Sequence, residues 1–350
     1  MKYMITWAIG LLISPIVCFA QAWQPLNSLP GAAERHHPVT FAINGYGYVV
    51  AGSGNNGLFD DFYRYDPAND IWQQLDDFPG GARGYSYGLS YAGKGYIGFG
   101  AGDDVYNDLW QYDPTTNAWT ELATCPCEGR RHPAMVQHQG VIYVGAGSGD
   151  NGDIKDWWAY DIENNNWQQK TDFIGTQRHH PYYFAVGDYV YVGFGHHADD
   201  VFKDFYRYDP STDAWLQLND FPEQGRVAGT QFNYQGKGYI LSGEGENHNN
   251  LPNGEFWEYD PNTDSWIELE EHPGLARWAP GSFMIDNELY LVAGETTALQ
   301  KDLSKYTFVD ITAINKPKSN EWQVSVYPNP TAKLLNFSTA IPKEATKKIQ

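Results

Sequence analysis

One unit of about fifty residues recurs six times along this chain, and that repetition limits the possible folds more than any other feature. Its clearest line is an acid, a Tyr four residues later and, in five of the units, a Trp seven residues after the Tyr. The Tyr positions are Tyr65, Tyr112, Tyr160, Tyr208, Tyr259 and Tyr306. The acids are Asp61, Asp108, Asp156, Asp204, Glu255 and Asp302, and the Trp are Trp72, Trp119, Trp167, Trp215 and Trp266. An Arg opens each unit, read as Arg35, Arg83, Arg131, Arg178, Arg226 and Arg277 at intervals of 47, 48 or 51 residues. Four ladders in phase define a structural repeat.

Each unit parses into four strands. In the first unit, Val39–Asn44 and Tyr46–Ala51 form a hairpin about Asn44-Gly45, where the turn needs residues that tolerate positive φ. A Gly/Asn/Asp loop follows, then a strand over Asp61–Tyr65, an Asp66-Pro67 turn and the Trp strand. Four antiparallel strands in such a repeat are the proportions of a propeller blade, and blades must stack around an axis to bury their faces. The sixth unit reaches Tyr306 without a Trp strand, whereas Trp23-Gln24-Pro25-Leu26 precedes the first. The expected fold is therefore all-β, a six-bladed propeller over residues 21–314 closed by the N-terminal strand.

The run from Arg to Trp resembles the kelch repeat, including a hydrophobic strand that ends in paired glycines. Here the pair is reduced to Ala51-Gly52, Phe99-Gly100, Ala146-Gly147, Phe194-Gly195, Ser242-Gly243 and Ala293-Gly294, with the second Gly kept in every unit. The rival tryptophan–aspartate propellers do not fit, since no Trp-Asp dipeptide occurs. The resemblance implies a fold that hosts many activities and leaves function to particular residues.

The two ends read as address labels. Lys2, the apolar run to Phe19 and the small residues near Ala20 have the pattern of a secretory signal peptide over residues 1–20. Residues 315–321 read as a polar linker, followed at 322–350 by expected strands Trp322–Tyr327 and Leu334–Ser338. The segment Val324-Ser325-Val326-Tyr327-Pro328-Asn329-Pro330 resembles the start of a type IX secretion sorting domain, which would continue for several more strands. A secreted or cell-surface protein reaching its place through the periplasm is expected. The net charge is −20, although six Lys oppose only two acids from Lys316 onward. So acidic a body repels phosphate backbones and anionic headgroups, which argues against nucleic acid and membrane insertion. A monomer is expected. Cys125 and Cys127, joined through Pro126, are open to either a bridge or free thiols in an oxidising compartment.

The candidate chemistry divides by symmetry. Acids, Tyr and Trp that recur in every unit are assigned to scaffolding. The six Arg have two open uses: a cationic ring at the channel mouth that takes a small acidic sugar or a peptide carboxylate, or pairing with a neighbouring blade's acid. His36, His37, His132, His179 and His180 break the symmetry, and partial protonation near neutral pH would strengthen anion binding. His196-His197 and Glu244, with Glu246 and His248, lie on later loops. No His-Glu-x-x-His spacing occurs, so neither a metal nor a cofactor is expected.

The preferred reading is a binding module that recognises a carbohydrate or an extracellular protein at the mouth. Its candidate ligand contacts are the six Arg with His132, His179 and Glu244. The alternative is a sugar mutarotase or epimerase. Glu244 after Ser242-Gly243 and the run Ala293-Gly294-Glu295-Thr296 resemble the periplasmic sialic acid mutarotases, although Asn249–Asn253 stands where those enzymes carry an Arg. Kelch-like copper-radical oxidases need a Cys–Tyr crosslink that Cys125-Pro126-Cys127 does not offer.

Overall fold

The computed structural model describes residues 23–31 and 33–308, with two further strands at Gln323–Tyr327 and Asn336–Ala340. The chain divides into two units, residues 1–307 and 308–350. In the second unit the two described strands pair antiparallel, Gln323 opposite Ala340. The expected signal peptide and linker lie outside the described residues.

The first unit contains six four-stranded antiparallel sheets. Blade 1 runs Val39–Ile43, Tyr46–Val50, Phe62–Asp66 and Ile71–Leu75. The first strands of blades 2 to 6 are Tyr87–Tyr91, Ala134–His138, Tyr182–Val186, Thr230–Tyr234 and Gly281–Ile285. These first strands touch their neighbours all the way round, including 281–285 against 39–43, and so line a central channel. In blade 6 the outermost strand is Trp23–Leu26, antiparallel to Leu303–Thr307. Trp23 stands opposite Tyr306 in the register that pairs Trp72 with Tyr65. The N-terminal strand thus completes the last blade.

Packing explains the aromatic ladders. Each Tyr ring leans on its blade's Trp, with centroids 4.9 Å apart for Tyr65–Trp72 and 5.3 Å for Tyr306–Trp23. The same Tyr reaches the third strand of the preceding blade, as in Phe62–Tyr112 at 4.8 Å and Phe205–Tyr259 at 5.0 Å. Large rings therefore fill the wedge that widens between blades with distance from the axis. The Tyr hydroxyl donates to a turn residue of its own blade, Asp70, Asn117, Asn165, Asp213 or Asp264. Cys125 and Cys127 are joined as a disulfide.

The reduced glycine pair keeps its geometry for a steric reason. The first residue has φ between 54° and 61°, which Ala, Phe or Ser can tolerate. The second has φ between 79° and 108°, where a Cβ is strained. The kept glycine also joins the blades. Gly52 donates to the carbonyl of Arg83 at 2.9 Å, each later blade repeats the bond, and Gly294 returns to Arg35 at 2.8 Å.

Candidate functional site

The arginine ladder lies inside the blades. Arg35, Arg83, Arg130, Arg178, Arg226 and Arg277 are buried, and each guanidinium pairs with the ladder acid of its own blade: Asp61, Asp108, Asp156, Asp204, Glu255 and Asp302. In five blades the same guanidinium also donates to the carbonyl of the first residue of the glycine pair, as Arg35 does to Ala51 at 2.8 Å. Two expectations change. The pairing is within each blade, not with a neighbour. The third member is Arg130; Arg131 is partly exposed and lies 3.9 Å from the exposed Asp150. A buried guanidinium needs a carboxylate to offset its lost hydration, so the ladder acid draws it inward. Satisfied in this way, Arg35, Arg83, Arg178, Arg226 and Arg277 form no free cationic ring at the mouth.

The mouth is built by the next two positions of each repeat. The residue after the Arg makes an isolated antiparallel bridge to the residue after the glycine pair. The six bridges are His36–Ser53, Gly84–Ala101, Arg131–Ser148, His179–His196, Val227–Glu244 and Trp278–Glu295. The backbone is the same in all six blades while the side chains vary, with His repeated at His36 and His179 in the first position, and Ser at Ser53 and Ser148 and Glu at Glu244 and Glu295 in the second. Blades 4 to 6 hold the chemically active ones.

The second position after the Arg is His37, Tyr85, His132, His180, Ala228 or Ala279, each with φ between 47° and 63°. Backbone bonds link several of these across blades, such as His180 to His132 at 3.1 Å and His37 to Ala279 at 2.8 Å. Their rings meet at the axis. His132 and His180 lie with centroids 3.6 Å apart, and His37 is 4.9 Å from His132. Burial holds His37, His132 and His180 well below the ordinary imidazole range, and the neighbouring imidazoles add to this. Burial thus favours the neutral form of these three rings, against the partial charge expected of them.

Above this plug opens a cavity of about 480 Å³ lined by His179, His180, His196, Glu244, His248, Trp278, Glu295 and Thr296. Asp153, from a loop of blade 3, bonds His179 Nδ1 and His197 Nδ1, both at 2.8 Å. Burial pushes His196 down to about 4, helped by His179 and His248. Burial also raises the Glu244 carboxyl and Glu295 raises it further, against the pull of His248, whose Nδ1 is 3.3 Å from Glu244 Oε2. The pocket can therefore offer hydrogen-bond acceptors, a carboxyl poised above its usual range, neutral imidazoles and one indole.

Of the expected ligand contacts, His179 and Glu244 line this cavity and His132 lies in the buried plug. Sequence reasoning passed over Trp278 as a site residue and misplaced one Arg. A signal for the latter was present: aligning Arg35-His36-His37-Pro38 and Arg178-His179-His180-Pro181 on His-Pro selects Arg130-Arg131-His132-Pro133.

Two curated proteins named N-acetylneuraminate epimerase, from Haemophilus influenzae strains PittEE and 86-028NP, are each 37% identical to the chain over 81 residues. The match covers 21% of this chain and 21% of each relative, so the chain spans about a fifth of their length. A far longer correspondence is found with the Attractin/LZTR1 β-propeller model, which matches residues 47–304. Covering most of the chain and reaching into all six blades, it shows that this protein belongs to the Attractin/LZTR1 β-propeller family.

Proposed function

We propose that this propeller is an exported binding module for a carbohydrate held in the cavity at its mouth. The observation that carries the reading is that Trp278, Glu244 and Glu295 line one and the same cavity. A sugar presents an apolar C–H face and a rim of hydroxyls, and an indole beside carboxylate acceptors suits both. The cavity is the size of a small ligand, which favours a sugar over a protein surface. With the ladder guanidiniums paired, a neutral sugar is favoured over the acidic one first expected. The pattern of residues 2–20 and the sorting-domain resemblance at 324–330 support action outside the cytoplasm. Calorimetry against a panel of neutral and acidic monosaccharides tests the proposal. Binding that survives in Trp278→Ala, or none across the panel, would count against it.

A second reading is favoured by Glu244. A carboxyl raised by burial beside His248 and Glu295 is suited to exchanging protons with the anomeric and ring oxygens of a sugar, the acid–base chemistry of mutarotation. The partial similarity to N-acetylneuraminate epimerase points the same way. Following anomer exchange by NMR, with neutral aldoses and N-acetylneuraminate as separate arms, distinguishes the readings. Acceleration that Glu244→Gln removes supports an enzyme; binding without acceleration supports the module alone.

A further inference from the structure

Blade 4 carries an arrangement that sugar binding does not require. His179 and His180 are consecutive at the channel mouth, and His196 faces His179 across the isolated bridge. Each ring can offer one nitrogen, and the three atoms lie within 4.8 Å of one another. We propose that His179, His180 and His196 form a three-imidazole site for a divalent transition metal, with its open coordination position facing the cavity.

The hydrogen bonds around the rings select the ligand atoms. Nδ1 of His179 is held by the Asp153 carboxylate at 2.8 Å, which leaves Nε2 as its ligand. Nε2 of His180 is 2.9 Å from Nε2 of His37, so Nδ1 remains, and that buried atom has no hydrogen-bond partner. Nδ1 of His196 is likewise buried without a partner. A buried polar atom left unsatisfied is costly, and two on adjoining rings point to a group that both would bind. Asp153 on His179 and His37 on His180 stand where ligating histidines keep their orienting partners.

Imidazole sets suit zinc, copper, nickel and iron, and three ligands with one position open is the arrangement of a site that takes a water or substrate oxygen. Metal–nitrogen bonds of about 2.0–2.1 Å bring ligand nitrogens to within about 4 Å of each other, somewhat closer than the 4.8 Å within which these rings each bring a nitrogen. The deeper trio of His37, His132 and His180 is a poorer site. Both nitrogens of His37 are engaged, by His36 at 2.7 Å and His180 at 2.9 Å, and the trio is buried in the plug. The cavity side is the one a ligand oxygen can reach.

The test uses the full chain without an affinity tag, stripped with a chelator and titrated with zinc(II) by calorimetry. One ion per chain is expected, with cobalt(II) giving the visible absorption of a low-coordinate nitrogen site. His196→Ala and His179→Ala, both on the cavity wall rather than in the plug, should abolish the ion. Asp153→Asn should keep the stoichiometry and weaken affinity roughly 10–100-fold, the cost of losing an outer partner. His138→Gln, on the first strand of blade 3, should bind as the parent does, and a melting curve for each variant separates lost ligation from lost folding. The proposal is overturned if the parent binds no stoichiometric zinc, if folded His196→Ala binds it equally well, or if only His37→Ala and His132→Ala lose it. None of these readouts involves a sugar, so the site stands or falls apart from the carbohydrate reading.

Discussion

The Nε2 atoms of His37 and His180 lie 2.9 Å apart, although the two residues are separated by 143 positions and belong to blades 1 and 4. In a ring of six, those blades face one another across the axis, so this contact spans the channel at its centre. Only a closed ring brings it about. Its two nitrogens share one proton, which requires at least one neutral imidazole and agrees with the depression of both by burial.

This contact should therefore couple the two halves of the ring. In urea unfolding of His37→Gln, His180→Gln and the double variant, a coupling energy of about 0.5–1.5 kcal/mol is expected. Strict additivity would show that the rings merely touch.

The adjacent arginines of blade 3 should behave very differently. Arg130→Ala leaves the Asp156 carboxylate without its buried partner and should cost about 3–5 kcal/mol of stability. Arg131→Ala removes a partly exposed side chain loosely paired with Asp150 and should cost less than about 1 kcal/mol. Equal losses in the two chemical denaturation curves would refute the assignment of Arg130 to the ladder.

Closure of the ring rests on a short strand with one large anchor. Trp23 is buried against Tyr306, Phe256 and His272, at centroid distances of 5.3, 6.3 and 6.0 Å. Trp23→Ala should cost about 3–5 kcal/mol and lower the melting temperature of the whole propeller. A melting temperature equal to that of the parent would mean that the strand is not needed to hold blade 6 in place.

Acid should weaken the fold through its buried histidines, of which His272 gives the simplest case. Burial, with Arg277 nearby, pushes it down from 6.5 to about 4. Its Nδ1 is 3.1 Å from the Pro273 carbonyl, and its Nε2 is 3.1 Å from the Ser242 hydroxyl, an arrangement that suits a neutral ring. The folded value lies below the unfolded one, so the unfolded chain binds more protons between them. Stability is then full above about pH 6.5 and falls as pH drops towards 4, by roughly 3 kcal/mol for this residue. Other depressed histidines act in the same direction, so His272→Gln should make the decline shallower without removing it. An unchanged slope in urea midpoints between pH 6.5 and 4 would exclude His272 as a contributor.

The repeat unit alone determined the all-β propeller, its six blades and its closure by Trp23. Those features depend on residue types at fixed intervals, because every blade solves the same wedge-packing problem with the same Tyr, Trp and Gly. Local spacing could not choose between Arg130 and Arg131, since each lies within one residue of the period. The His132-Pro133 that follows favours Arg130, and burial supplies the reason, since it admits only the guanidinium that reaches Asp156. Nor could spacing reveal the histidine cluster or the cavity wall. His37, His132, His180, Glu244 and Trp278 come from five blades and converge only when the ring closes. Positions that meet at an axis carry no period relative to one another, so their chemistry was decided by the tertiary structure.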